Sequence, residues 1–90
     1  MKQMILTLAA LIALSMPANA ACYVDYKAKK DNPLRLHYGV AEVACRGNPK
    51  ADLAARLAAN GWTLLAIVSR FDETGLAERQ DSAANYFLRF

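Results

Sequence analysis

Few side chains in this sequence can do covalent or acid–base chemistry, and their spacing narrows what they do. Cys22 and Cys45 are the two cysteines, and no Cys-x-x-Cys motif is present. In a small exported domain an even number of cysteines reads as a disulfide, and two allow one connectivity. Two other fates of Cys22 carry different chemistry. A redox thiol would want a neighbouring cysteine that is missing. A lipid-bearing N-terminal Cys22 would want a large aliphatic residue where Asn19 stands, ahead of Ala20-Ala21. His37 is the single histidine and lies beside Tyr38. It has the chemistry of a base or a ligand, but with no second histidine, no His-Glu-x-x-His, no Gly-x-Ser-x-Gly and no phosphate-cradling glycine loop it reads as a strand surface residue. One histidine and two oxidised cysteines do not make a zinc site. Asp72, Glu73, Glu78 and Asp81 cluster late in the chain. They lack the spaced oxygen ligands around a glycine that a calcium loop needs, and read as a solvated loop. The expectation is therefore no metal, no cofactor and no enzyme. Two features remain for recognition. Lys27, Lys29, Lys30 and Arg35 surround one turn, as a basic patch for acidic lipid, polysaccharide or an acidic partner, or as lysine protection of an edge strand. Trp62 reads as a core residue joining a helix to a sheet rather than as an exposed anchor.

The N-terminus supplies the address that these readings assume. Lys2 precedes an apolar run from Met4 to Met16 interrupted by Thr7 and Ser15 alone, then Pro17 and Ala18-Asn19-Ala20. This is the order of a secretory signal, with cleavage between Ala20 and Ala21. The run of ~13 residues falls short of the ~20 of a permanent span. Residues 1–20 read as a cleaved signal peptide and residues 21–90 as one small domain, periplasmic or secreted, with no transmembrane span. Lys2 leaves with the signal, so ten basic and eight acidic residues remain, a net charge of +2. That balance, together with export, argues against nucleic acid. About half of the remaining residues are apolar, as in globular domains.

The elements that must position these residues follow from local patterns. Residues 22–30, CYVDYKAKK, alternate as a strand. Asp31-Asn32-Pro33 is a turn, and residues 34–45 read as extended again. Placing Cys22 opposite Cys45 in an antiparallel hairpin pairs Val24 with Val43, Tyr26 with Ala41 and Ala28 with Gly39, all on one apolar face. The same register sets Asp25 against Glu42, a like-charge pair. Asn48 as N-cap, Pro49 at N1, Asp52 in the first turn and Gly61 after the end bound a helix, with Leu53, Ala54, Leu57 and Ala58 on one face. Leu64 to Val68 is continuously apolar and reads as a central strand covered on both faces. Residues 76–83 fit a loop or an extended hairpin, and NYFLRF, residues 85–90, reads as a final strand. The expected fold is α+β in two layers, β-β-α-β-β, with one helix on a four-stranded, mainly antiparallel sheet.

The segment LAARLAANGWTLLAIVS resembles a group of small bacterial domains of unknown function. Their pattern is a Tyr-rich opening strand, a helix of the form L-x-x-L-x-x-x-G-W, a strand directly after the Trp, and a final aromatic strand. Tyr23 and Tyr26, Leu53 and Leu57, Gly61-Trp62, and NYFLRF stand at those positions. The export signal, the cysteines and the strand at 34–45 depart from that pattern. The resemblance implies a fold and no activity. The functional expectation is an exported binding module for a macromolecule, a protein or an envelope component, engaged through its hairpin or an exposed sheet edge. The alternative is a peripheral envelope protein held on anionic membrane or polysaccharide by Lys27, Lys29, Lys30 and Arg35, or by lipid on Cys22.

Overall fold

The computed structural model describes residues 21–90, so the signal segment and Ala20 of the cleavage site lie outside the described residues. The order is β1 (Cys22–Lys30), β2 (Arg35–Val43), α1 (Pro49–Ala58), β3 (Thr63–Phe71), a 3-10 turn (Glu73–Gly75), α2 (Ala77–Ala83) and a second 3-10 turn (Ala84–Tyr86). Among the described residues the class is α+β, but the sheet has three antiparallel strands, in the order β2-β1-β3, and two helices accompany it.

β1 is the central strand and sorts the chemistry of the domain by alternation. Val24, Tyr26 and Ala28 point to one face and are fully buried with Ala41, Leu53 and Leu57, and Trp62 is buried beside them. α1 supplies that cover. Asn48 caps it by accepting from the Ala51 amide at 3.1 Å, Pro49 opens it, and Gly61 (φ +83°) lets the chain leave for Trp62. The other face of β1 carries Tyr23, Asp25, Lys27 and Lys29, and α2 closes over its Asp25 end.

Four corrections to the sequence reading have physical causes. First, the hairpin register is displaced by two residues: Cys22 faces Val43, Val24 faces Ala41, Tyr26 faces Gly39 and Ala28 faces His37. An even displacement preserves the faces. The choice is set by Tyr26, because a Cβ at Gly39 would lie 2.5 Å from the Tyr26 hydroxyl oxygen and 2.6 Å from Cζ. Only glycine leaves room for the buried ring. The disulfide still forms, from Cys22 to Cys45 just beyond the end of β2, with Cα atoms 5.2 Å apart. Closing a loop of this length is worth about 3 kcal/mol in the chain-entropy model.

Second, β3 is an edge strand, not a central one. Its pairing with β1 jumps between Asp25/Ser69 and Tyr26/Ile67, and again between Lys27/Ala66 and Ala28/Leu64. The residues left over at the two irregularities are Val68 and Leu65, 52 % and 49 % exposed. The unbroken apolar run therefore reflects two bulges and not burial on both faces. Third, residues 85–90 form no strand. The chain turns at Ala84 (φ +50°) and Leu88 (φ +56°), touches β2 by one parallel bridge between Phe87 and Val40, and lays Tyr86 and Phe90 on the core. The alternating aromatics are satisfied by ring packing instead of a ladder. The Leu88 amide donates to the Val40 carbonyl at 2.8 Å, and Arg56 of α1 donates to the Phe90 carbonyl at 2.9 Å. Fourth, Asp25 does not face Glu42. It is 5 % exposed, opposite Val40 and Ser69, and accepts from Ser69 Oγ at 2.6 Å, Tyr38 Oη at 2.8 Å and Arg79 Nε at 3.1 Å.

Candidate functional site

The hairpin end sorts the four predicted cations onto two faces. Lys27 and Lys29 lie on the α2 side of the sheet. Lys27 is exposed opposite Tyr38 and Ala66, and Lys29 is paired with Asp31 at 3.3 Å. Lys30 and Arg35 stand directly opposite each other on the face that bears α1. The expected single patch is thus divided, because strand alternation separates Lys27 and Lys29 from Lys30.

Lys30 and Arg35 gain a third cation that the sequence reading left as part of a strand. Arg89, from the C-terminal segment, joins them around a cleft of about 280 Å³ lined also by Asn60, Trp62, Tyr86 and Phe90. Lys30 Nζ sits 4.7 Å from the Trp62 ring centroid, and the Arg89 guanidinium lies 5.8 Å from Tyr86 and 5.9 Å from Phe90. Cations over aromatic faces are held without being neutralised. None of the three cations has an ion-pair partner among the described residues. Like charges opposed across a hairpin are unfavourable, so Lys30 and Arg35 are placed at a cost to the fold.

His37 lies beneath this cleft, which corrects its reading as a surface residue. It is 8 % exposed, stacks on Tyr86 at 3.8 Å between centroids, and meets Trp62 edge to face at 4.3 Å. Its Nε2 is hydrogen-bonded to Tyr26 Oη at 2.9 Å, and its Nδ1 is buried without a partner. Burial, and then the charges of Arg89 and Lys30, hold the imidazole below its usual pKa. Burial pushes the Tyr26 phenol up to about 12, so its hydroxyl stays protonated.

On the opposite face the Asp25 cluster is closed rather than open. Burial alone would raise the carboxyl, but the hydrogen bonds from Ser69, Tyr38 and Arg79 and the Arg79 charge outweigh it and hold its pKa below the usual range. Tyr38 is pushed up to about 12 by burial and by its bond to Asp25. Arg79 also covers Phe71, its guanidinium 3.9 Å from the ring centroid. Every polar group in this cluster has a partner, so its role is to dock α2 on the sheet. Further hollows lie elsewhere among the described residues. One of about 250 Å³ lies beside the disulfide, between Tyr23, Arg70 and Phe71, and one of about 330 Å³ lies between Lys27, Leu36, Tyr38 and Leu65.

The late acids are dispersed. Asp72 caps the first 3-10 turn through Thr74, Glu78 pairs with Arg79, and no group of three or more potential metal ligands gathers among the described residues. Trp62 is in the core, 6 % exposed. Among the described residues no helix is long and apolar enough to cross a membrane. The sequence reading missed Arg89 and Asn60. A usable signal was the basic residue set between aromatics, two positions after Phe87 and directly before Phe90. No family model matches the chain, and no curated protein or solved structure matches it.

Proposed function

We propose that residues 21–90 form an exported, disulfide-stapled binding module that recognises an anionic group on an envelope component through the cleft at Lys30, Arg35 and Arg89. One observation carries this reading: three cations from three separate segments meet over an aromatic floor with no carboxylate partner among the described residues. An arrangement that costs the fold stability is explained by an external anion. Recognition by addition of a strand to the sheet is less well supported. β3 offers the open edge, but its bulges at Leu65 and Val68 twist the ladder that an added strand would need.

The test compares retention of the mature, oxidised protein on sulfated dextran, on neutral dextran and on anionic vesicles. Arg35→Gln with Arg89→Gln should weaken binding by at least about tenfold, the worth of one charge-assisted hydrogen bond. Lys27→Ser with Lys29→Ser removes the same charge from the other face and should change it less than about twofold. Equal losses in the two double variants would mean that net charge alone is read. Export is tested by intact mass. A chain beginning at Ala21 and lacking two hydrogens fits the soluble disulfide form, whereas a diacylglyceryl adduct on Cys22 contradicts it.

A further inference from the structure

We propose that the cleft takes a tetrahedral oxyanion carried as an ester, a phosphate or a sulfate, and that its binding and the protonation of His37 favour one another. The proposal rests on the anion reading above and adds a ligand class and a proton coupling to it.

The ligand class follows from where the donors come from. Lys30 ends β1, Arg35 begins β2 and Arg89 belongs to the C-terminal segment. They approach one space from three chain segments. A carboxylate offers two oxygens in one plane and suits a single guanidinium fork. A phosphate or sulfate ester offers three free oxygens on a tetrahedron, and so can meet three donors at once. The aromatic floor leaves space for the group that bears the ester, a sugar ring or a glycerol.

The coupling follows from what faces His37. From β1 it meets Tyr26, from the entry to β3 Trp62, and from the C-terminal segment Tyr86 and Phe90. The charges that bear on it are Arg89 and Lys30. Arg56 of α1, which bears on Tyr26, is a further cation nearby. Among the described residues no side-chain carboxylate bears on it. A proton on His37 would add a positive charge beneath two cations and would leave both ring nitrogens as donors, with Nδ1 unpartnered in a dry site. An oxyanion between Lys30 and Arg89 cancels that repulsion. By linkage, a ligand that raises the pKa of His37 must bind more tightly as the pH falls through it. A rise of about 0.5 in that pKa corresponds to about a threefold gain in affinity at low pH.

The test is an NMR titration of the His37 ring in the mature, oxidised protein, with and without sodium sulfate at constant ionic strength. Sulfate keeps its charge throughout the range in which His37 titrates, which inorganic phosphate does not. The expected result is saturable shifts at Lys30, Arg35 and Arg89, a higher His37 midpoint with sulfate, and loss of both in Arg89→Gln. A His37→Gln variant that still binds sulfate should do so without pH dependence between neutral and mildly acidic buffer. Sulfate binding at the three cations with an unmoved His37 midpoint would overturn the coupling and leave the anion site standing. Absence of saturable shifts there would overturn the site itself. Acetate binding as tightly as sulfate would overturn the tetrahedral preference. A sulfated disaccharide and vesicles of phosphatidic acid, run in parallel, separate a glycan source from a lipid one, and failure of both contradicts the ester assignment.

Discussion

Replacing Arg35 by glutamine should make the protein more stable while weakening its binding. Arg35 stands opposite Lys30 at the open end of the hairpin, where like charges on facing residues cost about 0.2–1 kcal/mol. Arg35 is exposed, so solvent screening places the gain near the middle of that range, about 0.5 kcal/mol. For a domain of this size such a gain raises the melting temperature by about 2–4 °C. Glutamine keeps a polar side chain, and Arg35 makes no hydrogen bond or ion pair among the described residues that its removal would sacrifice. The assay is thermal unfolding followed by circular dichroism, in low salt and in ~1 M sodium chloride, where the screening length falls to ~3 Å. The stabilisation should be present in low salt and absent in high salt. Addition of sulfate should reverse the order, since the wild type gains more from a bound anion. An Arg35→Gln protein that is less stable than wild type in low salt, or that responds equally to sulfate, would refute the reasoning that the cation cluster is held for a ligand.

Other perturbations probe the supporting structure. Arg79→Ala strips the buried Asp25 of its cation and should destabilise the domain by about 3 kcal/mol, measured by urea unfolding. Because the Asp25 pKa is depressed in the fold, its contribution is present above the ordinary carboxylate range and is lost as pH falls through the lower folded value. In Arg79→Ala the hydrogen bonds from Ser69 and Tyr38 still oppose burial but the guanidinium no longer does, so the variant should lose less stability than the wild type as the pH falls. Gly39→Ala sets a methyl against the fully buried Tyr26 ring and should cost about 1–3 kcal/mol in the same assay. His37, with its pKa lowered in the fold, should give stability that is complete above the ordinary histidine value near ~6.5 and declines as pH falls from there toward the folded value. His37→Gln should remove that slope.

The parts of the fold set by local chemistry were legible from the residues. The Asn48 cap, Pro49, the Leu53/Leu57 face and Gly61 define α1 without reference to the rest of the chain. The alternation in Cys22–Lys30 and the Asp31-Asn32-Pro33 turn likewise define the hairpin. What local pattern could not supply was which partner each face meets. The two-residue displacement of the hairpin depends on the volume of Tyr26 against the missing side chain of Gly39, a contact across strands. The apolar run of β3 carries the same composition whether it is central or bulged at an edge. Tyr86, Leu88 and Phe90 alternate as a strand would, but Ala84 and Leu88 adopt backbone angles that redirect the rings onto His37. The candidate site shows the same division. Lys30 and Arg35 were legible as cations at a turn, whereas the third cation, Arg89, and the histidine beneath them were brought in by the C-terminal segment.

The central claim is that Lys30, Arg35 and Arg89 form one anion site. Its most direct test is to map backbone amide shifts of the mature, oxidised protein during titration with sulfate at constant ionic strength. The account predicts saturable shifts concentrated at residues 30, 35 and 86–90, with a single dissociation constant shared among them. Small, non-saturating shifts spread over Lys27, Lys29 and the other surface cations would contradict it.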